Sequence, residues 1–395
     1  MKFFHKNWQF ILIFVSSAFF MFSRLGRDLL TDWDECLYGQ YVKEMGLTGH
    51  FMTNIWNGYL DFQKPPLYSW LVQIPYKLFG SSEFSLRLLS VLCALGILTA
   101  VYGIASQYFS KRIALFSALI LSTAEVFVIY SMKMNTDMLY VLLLICAVWA
   151  WLLSYKKSSF SYIAGLLFGL AVMAKGIGSV QFIGTLVFTL LLNPSKERFY
   201  NYVKMGLTTV AVILPWHIYM YLNYSPDFIR IYFFENILKR SKYPIEFHRE
   251  RWYYYFVLLF KELRPWIFLS IVGPIIIVIK WVGFTRLGKD FRKILNQIQD
   301  DLRRNEILYT IVLLVVLPLL SITKVHTKLA WYILPIYPFL SIYLAYCLDQ
   351  IIVSLGKAVK NTQTRINVKL ILTIITSVFL ITDAGRLYLN EVKFD

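Results

Sequence analysis

Apolar stretches recur along the whole chain, at residues 8–23, 84–106, 113–131, 137–154, 160–175, 177–192, 205–222, 265–281, 306–323, 329–350 and 367–383. Most approach the roughly 20 residues that a helix needs to cross the hydrocarbon core of a bilayer. The pattern predicts an all-α polytopic membrane protein of about eleven transmembrane helices, taken as one module over 1–395. Two long polar connections interrupt it, 24–83 and 223–264, and a shorter charged one covers 282–305. The first run follows Lys2, His5 and Lys6, as in a secretory signal. However, Arg24-Leu25-Gly26-Arg27-Asp28 stands where a small-residue cleavage site belongs, so an uncleaved first helix is expected. A short tail follows the last run, and no C-terminal soluble domain is expected.

Composition agrees. Of 395 residues, 58% are hydrophobic, and the mean hydropathy is +0.57; soluble domains are about 45–50% apolar. The net charge of +17 is distributed unevenly. With the N-terminus in the cytoplasm, Lys111, Arg112, Lys156, Lys157, Lys196, Arg198 and the bases of 280–304 and 357–369 all fall inside, and they carry most of the excess. By the positive-inside tendency the two long loops then face out of a cytoplasmic membrane. The charge reads as topology and contact with membrane lipid, and nucleic acid is excluded as a partner. Cys36, Cys93, Cys146 and Cys347 lack the spacing of a disulfide framework or a zinc site.

The chemistry concentrates in the outward loops. Residues 31–40, TDWDECLYGQ, place Asp32, Asp34 and Glu35 together just past the first apolar run. Asp34, Tyr38 and Tyr41 share a face if 33–46 is helical, and Gly46 and Gly49 would end that helix. Neighbouring carboxylates raise each other's proton affinity unless cations compensate, which suits a general base. Equally, acids simply favour a helix N-terminus. Lys64-Pro65-Pro66 closes the loop and restarts a helix at 67. Asp137 sits in Asn135-Thr136-Asp137, an N-cap sequence at the same surface. Lys175-Gly176 lies at the next outer turn. The second long loop alternates cations and aromatics, through Phe233-Phe234-Glu235-Asn236, Lys239-Arg240 and Phe247-His248-Arg249-Glu250-Arg251-Trp252. Cations suit phosphate, and aromatic faces suit sugar rings or isoprenoid chains. Lys328 and Tyr332 follow at a later outer turn, where Pro335 and Pro338 predict a kink. A lipid-linked anionic substrate such as a polyprenyl phosphate sugar would use all three kinds of group.

These residues resemble a known family. Asp34-Glu35-Cys36-Leu37-Tyr38, Gly49, Asn57-Gly58 and Lys64-Pro65-Pro66-Leu67 are similar to the first outer loop of GT-C glycosyltransferases. The closest pattern is the branch of protein O-mannosyltransferases and lipid A aminoarabinose transferases. Asn135-Thr136-Asp137 resembles that branch's second acidic site, and Met173-Ala174-Lys175-Gly176 its turn. Phe234-Glu235-Asn236 through Lys239 and Lys328 through Pro335 resemble two later segments. The resemblance implies a GT-C fold, a dolichyl or undecaprenyl phosphate sugar donor, inverting transfer, and an active site in the outer loops. It makes Asp34 the base that deprotonates the acceptor hydroxyl, with Asp137 as its partner. Lys64, Tyr38, Lys239 or Arg240, and Tyr332 would hold the donor phosphate. Glu35 joins the catalytic candidates, and Lys175, His248, Arg249 and Lys328 join the donor-binding ones. The acceptor implied is a hydroxyl or phosphate group on a glycolipid, a polymer or a protein.

The sequence departs from the branch at three places. Gln63 replaces a glutamate that can hold a metal ion, Asn236 replaces a histidine, and Leu37 replaces an arginine. A divalent metal is therefore an unsettled cofactor, with Glu35 and His248 left as the residues that would serve. Two other readings stay open at this point: a transporter or flippase for a polyprenyl-phosphate-linked sugar, and a subunit that only binds lipid. Glu125, inside an apolar run, is the one candidate acid away from a helix end, the placement a transporter would use; its role stays open, with pairing to a lysine near the outer surface as one expectation.

Overall fold

The computed structural model describes residues 2–31, 33–176, 182–239, 242–243, 250–263, 266–269 and 305–358. Helix α1 runs Lys2–Arg24, and the first long loop follows it. That loop folds into α2 (Asp34–Thr48), a hairpin of β1 (Asn54–Trp56) and β2 (Tyr59–Asp61), and α3 (Leu67–Phe79). The bundle continues through α4 (Glu83–Tyr108), α5 (Lys111–Ser122), α6 (Glu125–Ser131), α7 (Thr136–Ser154), α8 (Phe160–Lys175), α9 (Ile183–Leu192) and α10 (Lys196–Tyr224). The second long loop contributes a π-helix, Ile229–Lys239, and α11 (Tyr254–Glu262). Helix α12 (Glu306–Lys324), a 3-10 segment Ala330–Ile336 and α13 (Tyr337–Ala358) complete the described chain.

Helix starts follow the sequence. Ser82 caps α4 in a reciprocal capping box with Ser85, and Ser110, Asn135 and Ser195 cap α5, α7 and α10 by accepting a backbone N–H. Gly49, at φ 69°, ends α2 in the left-handed region, while Gly46 stays inside the helix. Asn57 (φ 51°) and Gly58 (φ 79°) make the two-residue turn between β1 and β2.

Helices α4, α5, α7 and α13 form the core, with Val91, Ala94, Ile97, Leu98, Leu144 and Ala147 fully buried. Helix α8 lies against α7 and α10. Gly165 and Gly169 let α10 come close: a Cβ on Gly165 would stand 2.4 Å from the Met205 carbonyl oxygen, and one on Gly169 2.6 Å from Val212 Cβ. The other face of α10 leaves Leu207, Val210, Leu214, Ile218 and Leu222 exposed at three- and four-residue spacing, an apolar stripe suited to lipid. Two ion pairs tie first turns of helices to their neighbours: Arg112 of α5 to Asp349 within α13, and Arg198 of α10 to Glu306 at the start of α12.

Among the described residues, five helices are long and apolar enough to cross a membrane, or six if α5 and α6 form one span. The expected count of about eleven is therefore not reached on these residues, although the polytopic helical class is. The run 113–131, read as one span, is broken: α5 and α6 meet at 68° around Thr123 and Ala124. The run 329–350 begins as the 3-10 segment, which is where its two prolines predicted a kink. Nearly all of 265–281 and the whole of 367–383 lie outside the described residues.

Candidate active site

The first long loop is fastened by a buried ion pair. Arg87, in the first turns of α4, donates from Nε to Glu35 Oε1 and from Nη2 to Glu35 Oε2, both at 2.8 Å. Both side chains are almost fully buried. The guanidinium also donates to the carbonyls of Leu25 (3.4 Å), Asp28 (2.7 Å) and Leu29 (2.9 Å), so one side chain gathers Leu25, Asp28, Leu29 and Glu35. Glu35 Oε2 further accepts from the N–H and hydroxyl of Thr31, each at 2.9 Å. Its Oε1 accepts from the Met134 N–H at 2.7 Å. Burial alone would raise the Glu35 carboxyl; hydrogen bonds from Arg87, Thr31 and Met134 more than offset it and hold it below its usual value. The expected mutual elevation of adjacent carboxylates therefore fails for Glu35, because five donors and a full positive charge surround it. Nor are its oxygens open to a metal ion.

The bond from Met134 sets the site. Met134 lies three residues before Asp137, and Glu35 is next to Asp34, so one carboxylate registers the two acidic segments against each other. Asp34 opens α2 after Trp33, which takes φ 65°, a region that L side chains rarely adopt. Tyr130 on α6 lies within electrostatic reach of Asp137, Asp34 and Tyr254, which places the two acids around one phenol. Asp137 is buried at the start of α7 and accepts from the ammonium of Lys175, at the end of α8. The same ammonium stands 5.4 Å from the Tyr140 ring centroid and 5.5 Å from that of Tyr332. Asp34, Asp137, Lys175 and Tyr332 thus come together around Tyr130 and Tyr140.

A second cation lies beside them. Tyr38 and Tyr41 are buried on one face of α2, and Tyr41 also lies within electrostatic reach of Asp34. Lys64 donates to the Tyr38 hydroxyl and sits 4.7 Å from its ring centroid. Tyr41 donates to Asp61, whose other oxygen accepts from the Gln63 N–H at 2.7 Å. Burial, and then the Asp61 charge, raise the Tyr41 phenol, which stays a donor at neutral pH. Asn54 donates to the Lys64 carbonyl at 3.1 Å and so ties the hairpin to the Lys64-Pro65-Pro66 turn.

The remaining candidates are placed differently. Lys328 is buried and donates to the Val325 carbonyl. Burial lowers its ammonium, and Glu250 partly restores it. Lys239 ends the π-helix in an exposed position. Arg240, His248 and Arg249 lie outside the described residues. Among the described residues, no three histidine, cysteine or acidic side chains group to hold a metal. Sequence reasoning missed Arg87, Tyr130, Tyr140 and Asp61. Only Arg87 carried a signal, as a lone cation in an otherwise apolar helix.

Residues 63–219 match the family model described as dolichyl-phosphate-mannose-protein mannosyltransferase. A protein of Aquifex aeolicus with no assigned function is 29% identical over 270 residues, which are 66% of this chain and 52% of that protein. The undecaprenyl phosphate-alpha-4-amino-4-deoxy-L-arabinose arabinosyl transferase 1 of Pseudomonas fluorescens is 26% identical over 68% of this chain and 50% of its own length. The chain spans about half the length of these relatives. Among solved structures, ArnT from Cupriavidus metallidurans bound to undecaprenyl phosphate superposes with a TM-score of 0.72 at 19% identity, covering 96% of this chain and 75% of that one. The Archaeoglobus fulgidus oligosaccharyltransferase gives 0.62 at 12% identity, over 98% and 56%. The fold is the GT-C fold, as the motifs implied. Nothing in these likenesses supports the transporter reading.

Proposed function

We propose that this chain, with a GT-C fold and a mannosyltransferase-type domain over 63–219, is an integral-membrane inverting glycosyltransferase. It moves a sugar from a polyprenyl phosphate, undecaprenyl phosphate in a bacterial membrane, to an acceptor hydroxyl on a glycolipid, polymer or protein. The observation that carries this reading is the convergence of Asp34 and Asp137 beside Lys175, with the Lys64–Tyr38 pair on the adjoining face of α2. The names of the relatives supply the donor class.

In the reaction, Asp34 accepts the proton of the acceptor hydroxyl as its oxygen bonds to the anomeric carbon. The bond from that carbon to the phosphate oxygen breaks from the opposite face, and its electron pair leaves with the lipid phosphate. Preorganised cations stabilise the phosphate charge as it develops. Lys64, held by Tyr38, and Lys175, held by Asp137 and two aromatic rings, take that role. Asp137 has its charge matched by Lys175, so it positions the cation while Asp34 takes the proton. Glu35 and Arg87 fix the spacing between the two acidic segments. The excess of positive charge in the connections that alternate along the sequence with the two long loops supports an N-terminus in the cytoplasm and a site on the outer side.

The test is transfer by purified protein in nanodiscs offered a panel of undecaprenyl phosphate sugars with glycolipid, polymer and peptide acceptors. Release of free undecaprenyl phosphate from at least one donor is expected. Intact donor binding without release, across the whole panel, would overturn the catalytic reading.

A further inference from the structure

The 3-10 segment Ala330–Ile336 turns two aromatic side chains toward the acidic segments. Ile333, Leu334, Pro335 and Ile336 are buried in the bundle, while Trp331 and Tyr332 are half-buried. Tyr255 fixes the start of the segment: its hydroxyl donates to the Leu329 carbonyl and accepts from the Leu329 N–H, both at 3.2 Å. Tyr332 is the ring against Lys175. The Trp331 ring packs on Tyr130 of α6, with centroids 5.8 Å apart and planes at 46°.

Tyr130 is tied to the Asp137 segment. Its carbonyl accepts from Asn135 Nδ2 at 2.6 Å, and Asn135 Oδ1 caps α7, whose first turn holds Asp137. Asp34 also lies within electrostatic reach of Tyr130. Tyr130, Trp331 and Tyr332 therefore line up as one aromatic wall, with 6.5 Å between the last two centroids, and the wall ends at the Asp137–Lys175 pair.

The polar tips of this wall are open. Neither the Tyr130 hydroxyl nor the Trp331 indole N–H has a hydrogen-bond partner among the described residues, and neither is sealed from solvent. Buried tyrosine and tryptophan usually place that group on a partner. Two half-buried rings in contact, each with a donor to spare, suit a ligand that has both an apolar face and acceptors. A pyranose ring is such a ligand, with a face of C–H bonds and a rim of hydroxyl oxygens. An isoprenoid chain would use the rings and leave the donors idle. A phosphate needs cations, which Lys64 and Lys175 supply. We propose that Trp331 and Tyr130 form the subsite for the pyranose ring of the donor, its C–H face on Trp331 and one of its hydroxyls accepting from Tyr130. A sugar carried on the lipid phosphate is one bond from that phosphate, and the wall begins at the ring against Lys175. Trp331 and Tyr130 thereby set which sugar is accepted, while Asp34, Lys64 and Lys175 keep the charge chemistry.

The identity of the ligand rests on the glycosyl-transfer reading, so the test is binding without turnover. Purified full-length protein in detergent micelles holds a fluorescent polyprenyl phosphate, which is displaced by undecaprenyl phosphate or by its mannose, glucose and arabinopyranose derivatives. Wild type is expected to bind at least one derivative more tightly than undecaprenyl phosphate itself. Trp331→Ala is expected to lose about tenfold of that preference, with the affinity for undecaprenyl phosphate unchanged, and Trp331→Phe to keep most of it. Tyr130→Phe removes one donor and is expected to lose several-fold at an unchanged unfolding midpoint, which keeps the test decisive if Trp331→Ala does not fold. A wild type without preference for any derivative would overturn the subsite, as would a preference that survives Tyr130→Phe and the Trp331 variants undiminished. Equal weakening of undecaprenyl phosphate would also overturn it, by making the wall a contact for the lipid chain, and so would an effect confined to the acceptor KM. A preference lost as expected in a protein that transfers no sugar would sink the transfer reading and leave the subsite standing.

Discussion

Replacing Arg87 with methionine removes the cation from Glu35 while keeping a long apolar side chain in α4. The carboxylate is then left buried, with only the donors of Thr31 and Met134. Both partners are at most 5% exposed at the side chain, so solvent does little to screen the pair. Breaking a buried ion pair from one side typically costs about 3–5 kcal/mol, and the carbonyls of Asp28 and Leu29 lose their donor as well. Replacing both partners, as Arg87→Met with Glu35→Leu, removes the orphaned charge. The double variant is expected to recover at least about 2 kcal/mol relative to the sum of the single losses. Equilibrium unfolding in mixed micelles measures all four corners of this cycle. The pH dependence has a fixed sign. The folded Glu35 carboxyl lies below its ordinary value of 4.5, so its contribution is complete above pH 4.5 and fades as pH falls through the folded value. The gap between wild type and Arg87→Met should therefore close in acid. An Arg87→Met protein within about 0.5 kcal/mol of wild type at pH 7, or strictly additive losses in the cycle, would refute the role assigned to this pair.

Other outcomes follow from the same geometry. Lys175→Met leaves Asp137 buried without its cation and is expected to lower both stability and turnover. Adding Asp137→Asn should restore the unfolding midpoint but not turnover, and full recovery of turnover would deny Lys175 its place at the phosphate. Tyr38→Phe removes the acceptor of Lys64 and is expected to raise the donor KM several-fold with a smaller change in kcat, read by initial rates against donor concentration. Gly169→Ala sets a methyl group 2.6 Å from Val212 Cβ and should cost about 1–3 kcal/mol by overpacking. Wild-type stability in that variant would mean that α8 and α10 are not held by close approach.

Much of the scaffold was legible because helix signals are local. The boundaries of α4 and α7 lie within two residues of the apolar runs, and Asn135 caps α7 as its side chain suggested. Lys64-Pro65-Pro66 does restart a helix at Leu67. The bend between α5 and α6 was hidden, since Thr123 and Ala124 neither break a helix nor interrupt the apolar run. Asp34, Asp137, Lys175 and Tyr332 were visible as residue types at loop ends, and the family resemblance grouped them. What held them was not visible. Glu35 and Arg87 are 52 positions apart, and no periodicity reports a contact at that distance. The adjacency of Asp34 and Glu35 suggested two similar carboxylates. The fold makes them different, one locked under a guanidinium and one within electrostatic reach of Tyr41 and Tyr130.

The most direct test of the central claim, that Asp34 takes the acceptor proton, is donor turnover by Asp34→Asn beside wild type. Undecaprenyl phosphate release and donor binding are measured on the same nanodisc preparations. The account predicts unchanged binding, an intact unfolding midpoint and a fall in release of about 10²–10⁴-fold, the usual worth of a general base. Release within a few-fold of wild type from a folded, donor-binding Asp34→Asn protein would contradict it and assign the proton to another group.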